Sequence, residues 1–237
     1  MKRPFQRAWA LIFLFIQCPA RIRAQNSFQN LDFEQGNANG YANYSEVPIA
    51  IALPGWSGQA FIPGLPSYNP PPEAFAVYNF LSLGGNGLGL LDSNWAGNRA
   101  YIPVPLQGNY SLVINGGGGN AEVLSQTGLV PVGTSSITIE VATHSDLFTL
   151  ALGGQNVYLQ ALATYPTYTL YGGDVSAFAG KMESLAITVL PGNPNSTYID
   201  NLQFLTQPVP EPSTLVLASC NGFALWAAYR RRLWNGN

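Results

Sequence analysis

The chain has 237 residues and a formal net charge of −2, but its charges are unevenly distributed. Between Gln25 and Pro212, two cationic and twelve acidic side chains leave a net charge of −10. A field of that sign repels phosphate backbones, so the composition excludes nucleic acid as a partner. Both cysteines, Cys18 and Cys220, lie outside this interval, and the chain has one histidine. Disulfides, thiolate chemistry and a zinc site of the usual type are therefore excluded from the central region.

The N-terminus has the pattern of a secretory signal peptide. Lys2, Arg3 and Arg7 form a basic segment, which an apolar stretch over residues 8–16 follows. This order is typical of a signal peptide, and we predict one over residues 1–24 with cleavage after Ala24. The protein is then exported through the Sec machinery.

Residues 25–207 are predicted to form one all-β domain, an antiparallel β-sandwich. Apolar residues alternate with polar ones in several short segments, which is typical of half-buried strands. The segments contain Leu31 and Phe33; Ile137, Ile139 and Val141; Phe148, Leu150 and Leu152; and Leu185, Ile187 and Val189. Gly153-Gly154-Gln155-Asn156 predicts a tight hairpin between strands over 148–152 and 157–161. The domain is long enough to bury a core without disulfides.

Part of this domain resembles the galactose-binding-like jelly rolls of carbohydrate-binding modules. The resemblance rests on residues 124–128, the strand 136–141, residues 168–180, the strand 185–190, the closing segment 198–204 and, as opening strand, Asn30–Glu34. It implies a jelly roll whose first strand begins beside the end of its last. It indicates the fold better than the function.

The closing segment contains a carboxylate in an unexpected position. Strict alternation places Asp200 on one face with Tyr198, Leu202 and Phe204, and a carboxylate there is costly unless it is paired or metal-bound. Jelly rolls of the resembled class often hold a structural Ca²⁺ between their first and last strands. The resemblance thus implies calcium ligands at Glu34 and Asp200, with Asp32 as a further candidate. The alternative is that Asp200 accepts backbone N–H bonds at a bulge and that Glu34 is exposed.

Trp56 and Trp95 are the candidate sugar-binding residues. Sugar recognition needs aromatic platforms beside a few polar groups, and both tryptophans lie in turn-like contexts with hydrogen-bonding neighbours, among them Asp92 and Asn94. The alternative for each is a buried tryptophan that closes the end of the sandwich.

No catalytic machinery is predicted. His144, Ser145 and Asp146 are adjacent, and consecutive residues in one turn cannot form the convergent geometry of a catalytic triad. Glycosidase chemistry needs two facing carboxylates, and the sequence singles out no such pair. We therefore expect a protein that is not an enzyme.

The C-terminal segment, residues 208–237, contains three ordered elements. Pro210, Glu211 and Pro212 precede an apolar run over 213–229, and Arg230, Arg231 and Arg232 follow it. As a helix, the run spans about 25 Å, slightly short of a hydrocarbon core of roughly 30 Å, and the arginines orient it with their side toward the cytoplasm. The alternative is an ordinary amphipathic terminal helix.

This order resembles the PEP-CTERM sorting signal of exopolysaccharide-producing bacteria. The resemblance implies that a membrane-embedded exosortase cuts near Pro210–Pro212 while a single transmembrane helix holds the protein in the inner membrane. Asn221 within the helix departs from the usual unbroken apolar run. The whole sequence thus predicts an exported protein at the cell surface or outside the cell, which works with exopolysaccharide as a non-catalytic binder. The alternatives are a matrix protein without a defined ligand, or a polysaccharide-degrading enzyme.

Overall fold

A computed structural model of the chain describes residues 27–61, 72–73, 75–79, 86–95, 105–116, 121–143, 148–191 and 196–209. The predicted signal peptide (1–24), Pro210–Pro212, the predicted helix 213–229 and Arg230–Arg232 lie outside the described residues. So do His144, Ser145 and Asp146.

Within these ranges the chain is almost entirely β-structure. The strands are β1 (Glu46–Pro48), β2 (Ser57–Phe61), β3 (Pro72–Glu73), β4 (Phe75–Tyr78), β5 (Asn86–Asp92), β6 (Tyr110–Gly116), β7 (Ala121–Leu129), β8 (Ser136–Thr143), β9 (Phe148–Leu152), β10 (Gln155–Asn156), β11 (Gln160–Thr164), β12 (Thr169–Asp174), β13 (Met182–Val189) and β14 (Ser196–Leu205). One short α-helix, α1 (Ile49–Ala52), and a 3₁₀ turn at Ser176–Phe178 complete the described structure.

The strands form two sheets. Eight strands pair in the order β1-β4-β5-β6-β14-β8-β12-β11, and six pair in the order β10-β9-β13-β7-β2-β3. The all-β prediction is confirmed. The sheets are not purely antiparallel, however, because β4 and β5 pair in parallel. Side-chain alternation predicts a strand but does not reveal whether that strand pairs with its neighbour in parallel or antiparallel.

A hydrophobic core lies between the two sheets. Ile137, Ile139 and Val141 of the larger sheet share it with Leu185 and Ile187 of the smaller one. The predicted strands around these residues are confirmed as β8 and β13, because period-2 apolarity places such side chains on one face.

Strand β8 is buried on both faces rather than on one. Thr138 and Glu140, on the side of β8 away from the core, are each only 6% exposed. The prediction of a half-buried strand is therefore wrong for β8. The strand has paired neighbours on both sides, β14 and β12.

The predicted hairpin is confirmed at its turn and corrected in its second strand. Gly153 and Gly154 both have positive φ, at +59° and +74°, as a type I′ turn requires. The returning strand is only Gln155–Asn156, paired with β9. The chain then crosses to the other sheet and forms β11 (Gln160–Thr164) instead of continuing over 157–161.

The predicted opening strand is a turn. Asn30 and Phe33 have positive φ, at +50° and +58°, so the segment cannot run extended. The predicted proximity to the last strand is nevertheless observed, since the Leu202 amide donates to the Leu31 carbonyl at 3.0 Å.

Strand β14 contains a bulge that separates Asp200 from the face of Leu202 and Phe204. Its pairing with β8 shifts register between Asp200 and Gln203, and Asn201 has φ +49°. The extra residue at a bulge breaks alternation. As a result Ile199 and Leu202 both pack into the main core, whereas Asp200 lies on the opposite side, with Tyr198. The prediction that Asp200 shares a face with Leu202 and Phe204 is wrong.

Of the described helices, none has the length and apolarity needed to cross a membrane.

Core packing predicts an unequal response to two equivalent truncations. Ile187 is fully buried, whereas Val132 is 84% exposed. We expect Ile187→Ala to lower the free energy of unfolding by about 2–5 kcal/mol, since it removes buried methyl groups and leaves a cavity. Val132→Ala is the control and should change it by less than about 0.5 kcal/mol. Urea titration followed by circular dichroism measures both. Equal effects would contradict this assignment of the core.

Candidate functional sites

Asp200 is a buried carboxylate that accepts hydrogen bonds from three residues of the domain. It is 1% exposed. Its Oδ2 accepts hydrogen bonds from the Ser111 hydroxyl at 2.7 Å and the Gln107 amide at 3.1 Å. Its Oδ1 accepts from the Asn201 amide at 2.8 Å. The sequence left two interpretations open for Asp200, calcium coordination and acceptance of backbone N–H bonds at a bulge. The observed bonds from Gln107 and Asn201 are of the second kind.

The burial of Asp200 opposes its ionisation. Burial raises the pKa of this carboxyl to about 7, although its hydrogen bonds from Ser111, Gln107 and Asn201 act in the other direction. Glu140, its partner across the β14–β8 pairing, raises it further. At neutral pH this carboxyl is therefore close to the midpoint of its titration.

Glu34 fastens the N-terminal turn to the loop before β6. Its Oε1 accepts from the amides of Asn109 and Tyr110 at 2.8 and 3.0 Å, and its Oε2 accepts from the Asn109 side chain at 2.8 Å. Gly108, the residue before Asn109, has φ +60°, and a Cβ there would lie 2.3 Å from Glu34 Oε1. Glycine adopts this φ without strain and permits the close approach. Glu34 is therefore not the simply exposed side chain that the alternative supposed.

The three predicted calcium ligands come together in one cavity, which we call the acidic pocket. Its volume is about 250 Å³, and its lining consists of Asp32, Glu34, Gln107, Gly108, Asp200 and Asn201. Asp32 is exposed and accepts the Glu34 amide at 3.4 Å. Side chains from an N-terminal turn, a loop and the last strand thus meet. Among the described residues, no three or more His, Cys, Asp or Glu side chains form a ready-made metal-binding group.

Both predicted sugar-binding tryptophans are buried. Trp56 is 4% exposed, stacks on Phe33 with ring centroids 5.8 Å apart, and donates its indole N–H to the Asn30 carbonyl. Trp95 is 5% exposed and packs against Tyr198. The prediction of exposed aromatic platforms is therefore wrong, because both indoles pack in the interior of the fold.

Asp92, considered above as a polar neighbour of Trp95, is engaged within the domain. Burial acts to raise the pKa of Asp92, but hydrogen bonds from Tyr78, Asn79 and Asn94 outweigh it and lower that pKa. Burial, and then the bond to Asp92, raise the pKa of Tyr78 to about 12. This network joins the ends of β4 and β5, so its role is structural.

A second cavity, which we call the aromatic groove, lies where the chain crosses from β10 of the smaller sheet to β11 of the larger sheet. Its volume is about 570 Å³, within the range of roughly 300–1,000 Å³ common for small-ligand sites. Its lining consists of Phe148, Thr149, Leu150, Asn156, Val157, Tyr158, Leu159 and Tyr171. Tyr158 is 83% exposed. Phe148 and Tyr171 meet edge to face at 5.7 Å.

The segment that carries Tyr158 is fixed by its neighbours. The Val157 amide donates to the Leu150 carbonyl at 2.8 Å. A Cβ at Gly173 of β12 would lie 2.4 Å from Val157 Cγ1 and 2.8 Å from the Tyr158 carbonyl. The glycine therefore lets the 157–159 connection lie directly against β12.

Sequence reasoning found the carboxylates of the acidic pocket but not the residues that bind them. Gln107, Asn109 and Ser111 are distant from Glu34 and Asp200 in sequence, and no local pattern marks them. The groove was missed as well. A usable signal was present: Phe148 and Tyr158 flank the predicted hairpin, where an aromatic side chain can remain accessible.

No protein-family model and no curated protein sequence matches this chain. Among solved structures it is similar to the module TmCBM61 in complex with beta-1,4-galactotriose, with 12% identity, a TM-score of 0.43, and coverage of 78% of this chain and 100% of that one. It is also similar to a beta-glucosidase from Kluyveromyces marxianus in complex with glucose, with 8% identity and a TM-score of 0.34. That match covers 78% of this chain and 18% of the glucosidase.

The raised pKa of Asp200 predicts how the stability of the metal-free protein depends on pH. The folded state holds this proton up to about pH 7, whereas the ordinary value is 3.8. Its contribution to the free energy of unfolding is therefore full below about pH 4 and is lost as pH rises toward 7, by an amount on the order of 4 kcal/mol.

We expect Asp200→Asn to remove this loss, as measured by urea titration in EDTA at pH 4 and pH 7. Asp174→Asn is the control, since hydrogen bonds from Ser176 lower the pKa of Asp174 and its removal acts with the opposite sign. The same pH dependence in wild type and Asp200→Asn would show that Asp200 titrates normally.

Proposed function

We propose that this protein is an exported, non-catalytic carbohydrate-binding module on a jelly-roll-type β-sandwich. The observation that carries the proposal is the aromatic groove. Its lining contains the aromatic residues Phe148, Tyr158 and Tyr171 and the polar residues Thr149 and Asn156. Aromatic faces beside a few polar groups are the composition that sugar sites use.

The groove favours binding over hydrolysis. Its described lining contains no carboxylate, and hydrolysis of a glycosidic bond needs a pair of them. We therefore propose that the protein holds polysaccharide, as in an exopolysaccharide matrix, without cleaving it.

A glycan array tests this function. We expect the full-length protein to retain at least one glycan and Tyr158→Ala to lose it, because the variant removes the most exposed aromatic face of the groove. Tyr44→Ala is the matched control, since Tyr44 is 62% exposed and is not part of the groove lining.

Binding of no glycan, with or without Ca²⁺, would favour the alternative of a matrix protein without a defined ligand. Release of reducing ends from a retained glycan would instead show an enzyme.

We propose that the acidic pocket holds a structural Ca²⁺. The donor chemistry fits, because Ca²⁺ takes oxygen ligands in flexible geometry and the pocket offers carboxylates from Asp32, Glu34 and Asp200. Burial disfavours the charged form of Asp200, so a cation beside it would stabilise that charge. Lys181, the cationic side chain within the described residues, is not part of the lining. The ion would supply positive charge and cross-link the N-terminal turn to β14.

Calcium binding is measured by calorimetry on EDTA-treated protein. We expect heat on addition of CaCl₂, a rise in melting temperature, and at least a tenfold loss of affinity in Glu34→Gln and Asp200→Asn, equal to about 1.4 kcal/mol or more. Glu183→Gln on β13 is the control and should bind normally. If wild type gives no heat and chelation leaves its melting temperature unchanged, the pocket holds no calcium.

Export and sorting complete the proposed function, and their residues lie outside the described part of the chain. We propose that residues 1–24 direct Sec export and that Pro210, Glu211 and Pro212 form the motif that exosortase recognises. Proline disfavours helix in the residue before it, so the sequence favours an extended, accessible motif. Residues 213–229 would lie in the inner membrane, with Arg230–Arg232 on its cytoplasmic side.

Charge reversal tests the sorting proposal. Replacement of Arg230, Arg231 and Arg232 by glutamate should slow processing and reduce anchoring, since the positive segment no longer fixes the orientation of the helix. Immunoblotting of membrane and secreted fractions over time measures this, and replacement of all three by lysine is the control. Processing of the glutamate variant at the wild-type rate would remove the support for this mechanism.

A further inference from the structure

We infer that the aromatic groove selects an uncharged polysaccharide, with Tyr158 as its stacking face and Gly173 as the residue that positions that face. This inference rests on the proposed carbohydrate-binding function and specifies its ligand class.

The charge of the groove and of its surroundings supports an uncharged ligand. The described lining residues are aromatic, aliphatic or uncharged polar. An anionic sugar such as a uronate would find no cation there, and the net charge of −10 between Gln25 and Pro212 would repel a polyanion as it approaches. A cationic amino sugar would find no carboxylate in the described lining. Neutral sugars need neither, because their C–H faces stack on aromatic rings and their hydroxyls bond to uncharged polar groups such as the Asn156 amide.

Tyr158 has the exposure and the support that a stacking platform needs. An 83% exposed tyrosine contributes little to folding. Its neighbours are nevertheless fixed: Val157 is hydrogen-bonded to Leu150, and both Val157 and Leu159 line the groove. A platform on a fixed backbone loses less conformational entropy on binding than one on a free loop.

Gly173 acts through this backbone and not through contact with the ligand. It is buried on β12 and is not a lining residue. A methyl group at this position would overlap Val157 Cγ1 and the Tyr158 carbonyl, at 2.4 and 2.8 Å. The Tyr158 backbone must therefore shift in Gly173→Ala, and the face of the ring shifts with it.

Affinity gel electrophoresis of the full-length protein tests the inference. The probes are a neutral galactan, glucan and mannan, the anionic polygalacturonate, and the cationic chitosan, each at low salt and at 0.5 M NaCl. We expect retardation by at least one neutral polymer, equally at both salt concentrations, since uncharged contacts are not screened. Tyr158→Ala should lower the affinity at least tenfold. Gly173→Ala should lower it severalfold, while Tyr158→Phe retains it.

Gly172→Ala is the control for Gly173→Ala, because a Cβ at Gly172 would meet the side chains of Leu162 and Val209 and not the 157–159 connection. Far-ultraviolet circular dichroism identifies any variant that fails to fold. If Gly173→Ala fails to fold, Tyr158→Ala still tests the groove, because the Tyr158 side chain is 83% exposed and its truncation should leave the fold intact. Retardation only by polygalacturonate or chitosan, lost at high salt, would overturn the ligand class while leaving carbohydrate binding intact. Neutral binding that survives Tyr158→Ala would overturn the assignment to this groove. Retardation by none of the five polymers would count against the proposed function itself.

Discussion

A buried carboxylate at a break in the last strand organises this domain. Asp200 lies where β14 bulges, and the bulge allows Ile199 and Leu202 to enter the core while the carboxylate takes the other side. There it accepts hydrogen bonds from Gln107 and Ser111, which fix the loop before β6 against the sheet. Glu34 holds the same loop from the N-terminal turn. Two carboxylates thus connect three segments that are distant in sequence.

This arrangement stores an unfavourable charge inside the domain. A carboxylate that is 1% exposed loses its hydration, and hydrogen bonds only partly replace it. Such a site has two physical outcomes, protonation or a bound cation, and the proposed Ca²⁺ is the second. The aromatic groove lies elsewhere, between β9–β10 and the β11–β12 edge, and Tyr171 is separated from Asp200 by β8. In the account proposed here, the buried carboxylates hold segments of the fold together, and the uncharged groove binds the ligand.

The sequence predicted those features that follow from local periodicity. Ile137, Ile139 and Val141 alternate strictly, so the strand and its core face could be assigned, and Gly153-Gly154 marked a turn that only glycine adopts readily. The prediction of an opening strand was wrong because Leu31 and Phe33 are spaced as in a strand although they lie in a turn. Asp200 was predicted to share a face with Leu202 and Phe204, but one inserted residue at Asn201 moves those two side chains to the other face. Only the pairing with β8 reveals the insertion.

The candidate sites show the same division. Carboxylates near both ends of the domain could be identified as partners through the fold that the sequence resembles, and Asp32, Glu34 and Asp200 do share a cavity. Trp56 and Trp95 could not be assigned, because residue type does not distinguish a buried indole from an exposed one. Gln107 and Ser111 contact Asp200 from about 90 residues away, and no property of their local sequence reflects that contact.

Hydrogen–deuterium exchange, followed by mass spectrometry on calcium-free protein, tests the central role of Asp200 most directly. In Asp200→Ala, which removes both acceptor oxygens, peptides that contain residues 105–110 and 31–35 should exchange faster than in wild type, while peptides from β13 keep their protection. Unchanged exchange in both of those segments would contradict the account, because it would show that the loop and the N-terminal turn are held without this carboxylate.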